Sequence, residues 1–331
     1  MNKEKVKTTK KVQTSVNKSA FAPLLLCAVC ILLELAATVI DNFIFSFGNE
    51  ILSPILRQII ILLIPAYLYL LLRSPQKSLV ENISWLGIKR LRAEYIFFLF
   101  YASFFAISAS LMLNVIFGGV YDAANGFSLL GLVAGKNEFS ISSWYLIFSY
   151  AIIPAFIEEI FFRGLLYREL ESNGKKLAVI FSALIFAFFS FSPRQIPSVL
   201  VCGLIYSLAR AVTDSLQASM IIHFVFNLYG LFFQTNISLY YISSRNNSLL
   251  IIIIIFCFLL SGSLFFAELA RIYRSSAADG SRKVKEDKLT LKDAKNKVAA
   301  VFSHRPTIVA AIICLVLYIA SVIICQSTFT L

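Results

Sequence analysis

The sequence predicts an all-α polytopic membrane protein, a bundle of about nine transmembrane helices with the N-terminus inside and the C-terminus outside. Three observations predict it. The 331 residues are 59% apolar and only 15% charged, with a mean hydropathy of +0.80, whereas a soluble domain is nearer half apolar and a quarter charged. The apolar residues are gathered into stretches of about 20, the number a helix needs to cross a hydrocarbon core ~30 Å thick. The basic residues lie between those stretches, on one side. This composition excludes a water-soluble enzyme, a disordered chain and a disulfide-stapled secreted domain.

The first element is a basic cytoplasmic tail over 1–20, followed by an apolar run over 21–40. That run is longer than the apolar region of a secretory signal, and no clean small-residue cleavage site follows, so it reads as a retained first span. Further spans are predicted over 52–72, 95–117, 143–166, 249–270 and 307–325. The stretch 177–233 holds three more, near 177–192, 196–211 and 215–233, punctuated by Ser192-Pro-Arg-Gln-Ile-Pro197 and Arg210-Ala-Val-Thr-Asp214. Residues 118–142 read as an external loop with a short interfacial helix, and 271–305 as a Lys-rich cytoplasmic loop. The domain reading is therefore the tail 1–20, N-terminal spans and external loop 21–142, a four-helix core 143–233, and two C-terminal spans with their loop over 234–331.

With the N-terminus inside, 26 of the 30 Lys and Arg residues fall on the cytoplasmic side; only Arg57, Lys136, Arg194 and Arg245 do not. Loop charge of this kind sets membrane orientation, so the net charge of +12 reads as topology and gives no support for nucleic acid as a partner. The six cysteines (27, 30, 202, 257, 314 and 325) all fall within predicted spans and read as small apolar core residues.

Ionisable side chains inside spans are costly, so each is a candidate functional group. Glu268 has a nearby partner in Arg271. Glu34 either holds a helix contact or lines a cavity. The strongest local pattern is Pro154-Ala-Phe-Ile-Glu158-Glu159-Ile-Phe-Phe-Arg163-Gly164. Glu159 and Arg163 are spaced for a same-face ion pair. Successive helical positions diverge by ~100°, so Glu158 is expected to aim elsewhere, away from the site Glu159 faces. A carboxylate with no local cation suits general-base work. His223 and Asn227, also four apart, form a polar stripe that can bind an oxyanion, with the His also able to bind a metal, or can simply join helices by hydrogen bonds. Counted from Arg168 and from Asp214, Glu158 and His223 lie ~15 Å and ~13 Å into the membrane. One shared site is expected, nearer the cytoplasm than the outside.

Glu158-Glu159-Ile-Phe-Phe-Arg163 followed by His223-Phe-Val-Phe-Asn227 resembles the CPBP intramembrane proteases, bacterial relatives of the type II CAAX prenyl endopeptidase. The resemblance covers about 143–233. It implies an intramembrane endopeptidase in which Glu158 activates water, with His223 and Asn227 stabilising the oxyanion and Glu159 and Arg163 completing the motif. No cofactor is certain; in a metal-dependent account Glu158 and His223 would hold a divalent ion such as zinc. The family's second motif, Phe-x-x-x-His, corresponds here to Phe186-Ala-Phe-Phe-Ser190, and the chain's two histidines are His223 and His304. Serine is no base near neutral pH, though a Ser190 hydroxyl can orient water for Glu158. The implied partners are membrane lipid and a peptide or small membrane-protein substrate, reaching the cavity laterally or from the cytoplasm, and the implied location is the bacterial cytoplasmic membrane. A catalytically impaired relative acting as a binding, scaffold or immunity protein is the alternative, and a proton-coupled transporter a third reading.

Overall fold

The computed structural model describes residues 21–37, 53–74, 78–124, 143–172, 174–278 and 305–328. The tail 1–20, most of the 118–142 loop and most of the 271–305 loop lie outside the described residues. Every regular element among those described is a helix. In chain order they are α1 (Phe21–Ala37) and α2 (Pro54–Arg73), α3 (Leu79–Trp85), α4 (Ala93–Phe117), α5 (Gly119–Ala124), α6 (Trp144–Glu171), α7 (Lys175–Phe188), α8 (Ile196–Thr213), α9 (Leu216–Ser243), α10 (Ser248–Ala278) and α11 (Arg305–Thr328). Seven of these helices, α2, α4, α6, α8, α9, α10 and α11, contain segments long and apolar enough to cross a membrane. The two other predicted spans are occupied by shorter helices, α1 and α7.

Prolines shape the long helices locally. Pro65 and Pro154 cannot donate to the carbonyl four residues back, and each is preceded by a widened π-helical turn, Ile59–Leu63 in α2 and Phe148–Ile152 in α6. A third wide turn, Ile160–Leu166, follows the two glutamates of α6 directly. The short α3 begins at a Ser-x-x-Glu capping box, in which Ser78 and Glu81 satisfy each other's backbone N–H groups.

The core lies where α4, α6, α8 and α9 meet, with Phe98, Ala102, Ala106, Phe161, Leu165, Ala209 and Ile222 fully buried. The first four helices are mixed in exposure, whereas α10 and α11 turn rows of Ile, Leu and Phe outward, as lipid-facing helices do. Phe105 and Phe98 stack on Phe265 at 5.2 and 5.7 Å between centroids, and Ser108 and Ser261 share a 2.6 Å hydrogen bond, joining α4 to α10. Helices α7 and α8 pack closely because Gly203 has no side chain. A Cβ there would meet the Ala183 backbone at 3.2 Å and the Phe186 ring at 3.1 Å.

Charged pairs concentrate at one end of the bundle. Arg73 pairs with Glu169, with its guanidinium 4.1 Å from the centre of the Trp85 ring. Lys89 and Arg210 pair with Asp214, Arg168 with Glu171, and Arg271 makes a two-pronged contact with Glu268. At the other end, Asp122 of α5 binds Ser192 and Arg194 in the α7–α8 turn.

Replacing Gly203 by Val forces α7 and α8 apart; overpacking of this kind costs about 1–3 kcal/mol, so the thermal midpoint of the detergent-solubilised protein falls. A second expectation concerns the α8–α9 corner. Burial raises the Asp214 pKa, but the hydrogen bond from Lys89 and the charge of Arg210 outweigh it and hold the carboxyl below its ordinary range. A lowered folded-state pKa contributes stability above the unfolded value, ~3.9, and loses it as pH falls through the lower folded value. The difference in unfolding midpoint between the wild-type chain and Asp214→Asn is therefore expected at neutral pH and disappears on strong acidification.

Candidate active site

The fixed part of the site is a buried charge cluster. Glu159 and Arg163 are both fully buried, and the guanidinium Nη1 donates to Glu159 Oε1 at 2.8 Å. Their i, i+4 spacing brings them together as the sequence suggests. The remaining Arg163 donors are also used: Nη2 reaches the Gly203 carbonyl at 3.0 Å and Nε the Ser207 hydroxyl at 3.3 Å, both on α8. The Phe186 ring faces its Cζ at 4.4 Å. Partners at all three nitrogens offset the cost of burying this guanidinium.

His223, on α9, completes the cluster. Its Nδ1 lies 2.9 Å from Glu159 Oε1. A carboxylate only accepts, so the hydrogen of this bond sits on Nδ1 and the tautomer is set by Glu159. The ring stacks on Tyr206 at 4.9 Å and meets the edge of Phe186 at 5.7 Å, which holds its plane. Its other nitrogen, Nε2, faces Glu158 Oε2 at 3.8 Å, beyond hydrogen-bond length.

The expected divergence of Glu158 from Glu159 is corrected here. Both carboxyl groups approach one imidazole, each at a different nitrogen. Two neighbouring residues can do this because the ring presents its nitrogens on separate edges.

Glu158 lines a cavity of about 440 Å³ together with His223, Asn227, Ser190 and Tyr206, walled by Phe162, Phe186, Phe189 and Phe226. Gln58 of α2, a residue the sequence reading passed over, donates from Nε2 to Glu158 Oε1 at 2.9 Å. Its signal in the sequence is that Arg57-Gln58 interrupts an otherwise apolar start to α2. Glu34 also lines the cavity and pairs with Arg57, so both readings of Glu34 hold at once. Ser190 follows the end of α7, and its hydroxyl donates to the Ala187 carbonyl at 2.8 Å. Asn227 donates to the Ala151 carbonyl of α6, in the wide turn before Pro154, at 3.4 Å. Glu268 stands apart, joined to Arg271.

The donors do not suit a catalytic zinc. Such a site takes three protein ligands, and no group of three or more His, Cys, Asp or Glu among the described residues is arranged to hold a metal ion. Of the nearby groups, Glu159 is bound to Arg163 and His223 presents a single remaining nitrogen.

Breaking the buried pair leaves an uncompensated charge, so Arg163→Gln is expected to cost about 3–5 kcal/mol and lower the thermal midpoint sharply. Arg163→Gln combined with Glu159→Gln, which removes both charges, is expected to recover part of that loss in the same measurement.

No curated protein and no solved structure matches the chain. Residues 140–229, which span α6 to the middle of α9 and include Glu158, Glu159, Arg163, Ser190, His223 and Asn227, match the family model described as type II CAAX prenyl endopeptidase Rce1-like. This match over the central helices supports a CPBP/CAAX protease family assignment for this integral membrane chain.

Proposed function

We propose that the chain hydrolyses a peptide bond within the membrane by water activated at Glu158. The observation that carries this reading is the facing of Glu158 and His223 at 3.8 Å on one cavity wall. Gln58 holds Oε1 of Glu158, which leaves Oε2 to take the proton of a water as its oxygen attacks the scissile carbonyl carbon. The oxyanion then accepts hydrogen bonds from the Asn227 amide, once that amide leaves Ala151, and from His223 when its Nε2 also carries a hydrogen. Glu158 finally returns its proton to the leaving nitrogen. Ser190, whose hydroxyl hydrogen goes to Ala187, orients the water by accepting from it at Oγ, and no step runs through a metal.

The cavity size and its phenylalanine walls suit one or two apolar side chains of a peptide or small membrane-protein substrate. Its lining residues Pro54, Ser149, Ser190 and Val199 lie toward the bundle end opposite the Arg73–Glu169 and Asp214 pairs. With the basic loops on the cytoplasmic side of a bacterial cytoplasmic membrane, the peptide reaches Glu158 laterally or from the outer side, in place of the cytoplasmic entry that the resemblance implied.

A second reading is favoured by one observation. Ser190 stands at the position of the family's second-motif His and spends its hydroxyl on Ala187. Losing an acid–base partner costs roughly 10²–10⁴-fold in rate, and a chain so impaired acts by binding its peptide. Purified protein offered a peptide library separates the two. Cleavage that falls by at least ~100-fold in Glu158→Gln, survives chelator and rises in Ser190→His supports the hydrolase. Undiminished cellular phenotype in both Glu158→Gln and His223→Ala overturns it and leaves the binding protein.

A further inference from the structure

A second polar cluster lies at the opposite end of the bundle, apart from the cavity. Gly87 sits in the α3–α4 connection at φ +82°, and its carbonyl accepts from the Leu216 N–H at the start of α9. The position a Cβ would take on Gly87 is already filled by Arg210 Nη2, and Arg168 Nη2 lies 3.0 Å from it. Two guanidinium groups from α8 and α6 thus converge over one backbone position that only glycine leaves open.

Their partners do not use all their donors. Arg210 is 1% exposed. Its Nη1 reaches Asp214 at 3.3 Å, while Nε and Nη2 are buried with no hydrogen-bond partner. Arg168 Nη1 is held by Glu171 at 2.8 Å, and its Nε is likewise buried and unpartnered. The neighbouring Tyr167 hydroxyl is a third such group, on a ring 5.7 Å from the Arg210 Cζ. The acids are spent: Asp214 also takes Lys89, and Glu169 is paired with Arg73. Three cations, Lys89, Arg168 and Arg210, face two anions, Asp214 and Glu171. Two like charges brought together with unfilled donors in a poorly solvated place favour an acceptor anion between them.

We infer that Arg168 and Arg210, converging over Gly87 beside the Tyr167 ring, form a binding site for a phosphate group. Guanidinium forks match the tetrahedral oxygens of phosphate, and two such forks make a directed rather than diffuse contact. The site lies at the end of the bundle where Arg73, Lys89, Arg90, Arg92, Lys175 and Lys176 gather, the level at which a phospholipid headgroup meets a membrane protein. A headgroup phosphate and free inorganic phosphate share this chemistry.

The test is thermal unfolding of the full chain in a neutral detergent, with phosphatidylglycerol, phosphatidylcholine or inorganic phosphate added at constant ionic strength. A saturable rise in Tm with phosphatidylglycerol, with an apparent affinity weakened roughly 10-fold or more in Arg210→Gln and Arg168→Gln, supports the site as a headgroup site. The same pattern with inorganic phosphate alone supports a free-phosphate site. Arg168 lies at a helix end and is partly exposed, so its variant is expected to fold even where Arg210→Gln does not. No Tm response to any of the three, or a response equal in the Arg168→Gln and wild-type chains, overturns the inference.

Discussion

One oxygen of Glu159 accepts from both Arg163 and His223, in a place where neither Glu159 nor Arg163 meets solvent. Charge taken out of water must be repaid by geometry, and much of the central bundle is arranged to do so. Gly203 lets α8 approach closely enough for its own carbonyl to meet the guanidinium. The Ser182 hydroxyl supplies the Phe162 carbonyl within the wide turn that carries Arg163. Tyr206 and Phe186 close the ring of His223 on two sides. The cluster is a rigid support, and its chemical consequence is the tautomer and direction it imposes on a single imidazole.

Around that support the chemistry is sparse. Glu158 faces the free nitrogen of His223 and is anchored from behind by Gln58, while Ser190 and Asn227 are turned to nearby carbonyls. Gln58, Arg57 and Glu34 come from α1 and α2, outside the residues that match the family model. The family-like helices therefore supply most of the cavity wall, and α1 and α2 complete it. The phosphate site proposed at the far end rests on different residues and does not depend on the hydrolytic reading.

Much of this was legible before any coordinates. Glu159 and Arg163 are four apart on one helix, so their pairing follows from helical geometry alone. Depth counting placed Glu158 and His223 at one level, and they do face each other. Gln58 was illegible for a definite reason: an uncharged amide in an apolar helix carries no charge signal, and its partner lies 100 residues away. The meeting of Glu158 and Glu159 at one ring was misread because a 100° rotation separates the backbone directions, whereas the target ring offers two edges.

Composition and spacing alone set the membrane class, the helix positions, the ion pair and the motif residues, because each depends on hydropathy or on the regular geometry of a single helix. Packing between helices decided the rest. Which amide anchors Glu158, which nitrogen of His223 is left for chemistry, toward which end the cavity runs, and where two arginines meet over Gly87 are all contacts between segments distant in sequence. No local periodicity encodes such contacts; they exist only when the helices are brought together.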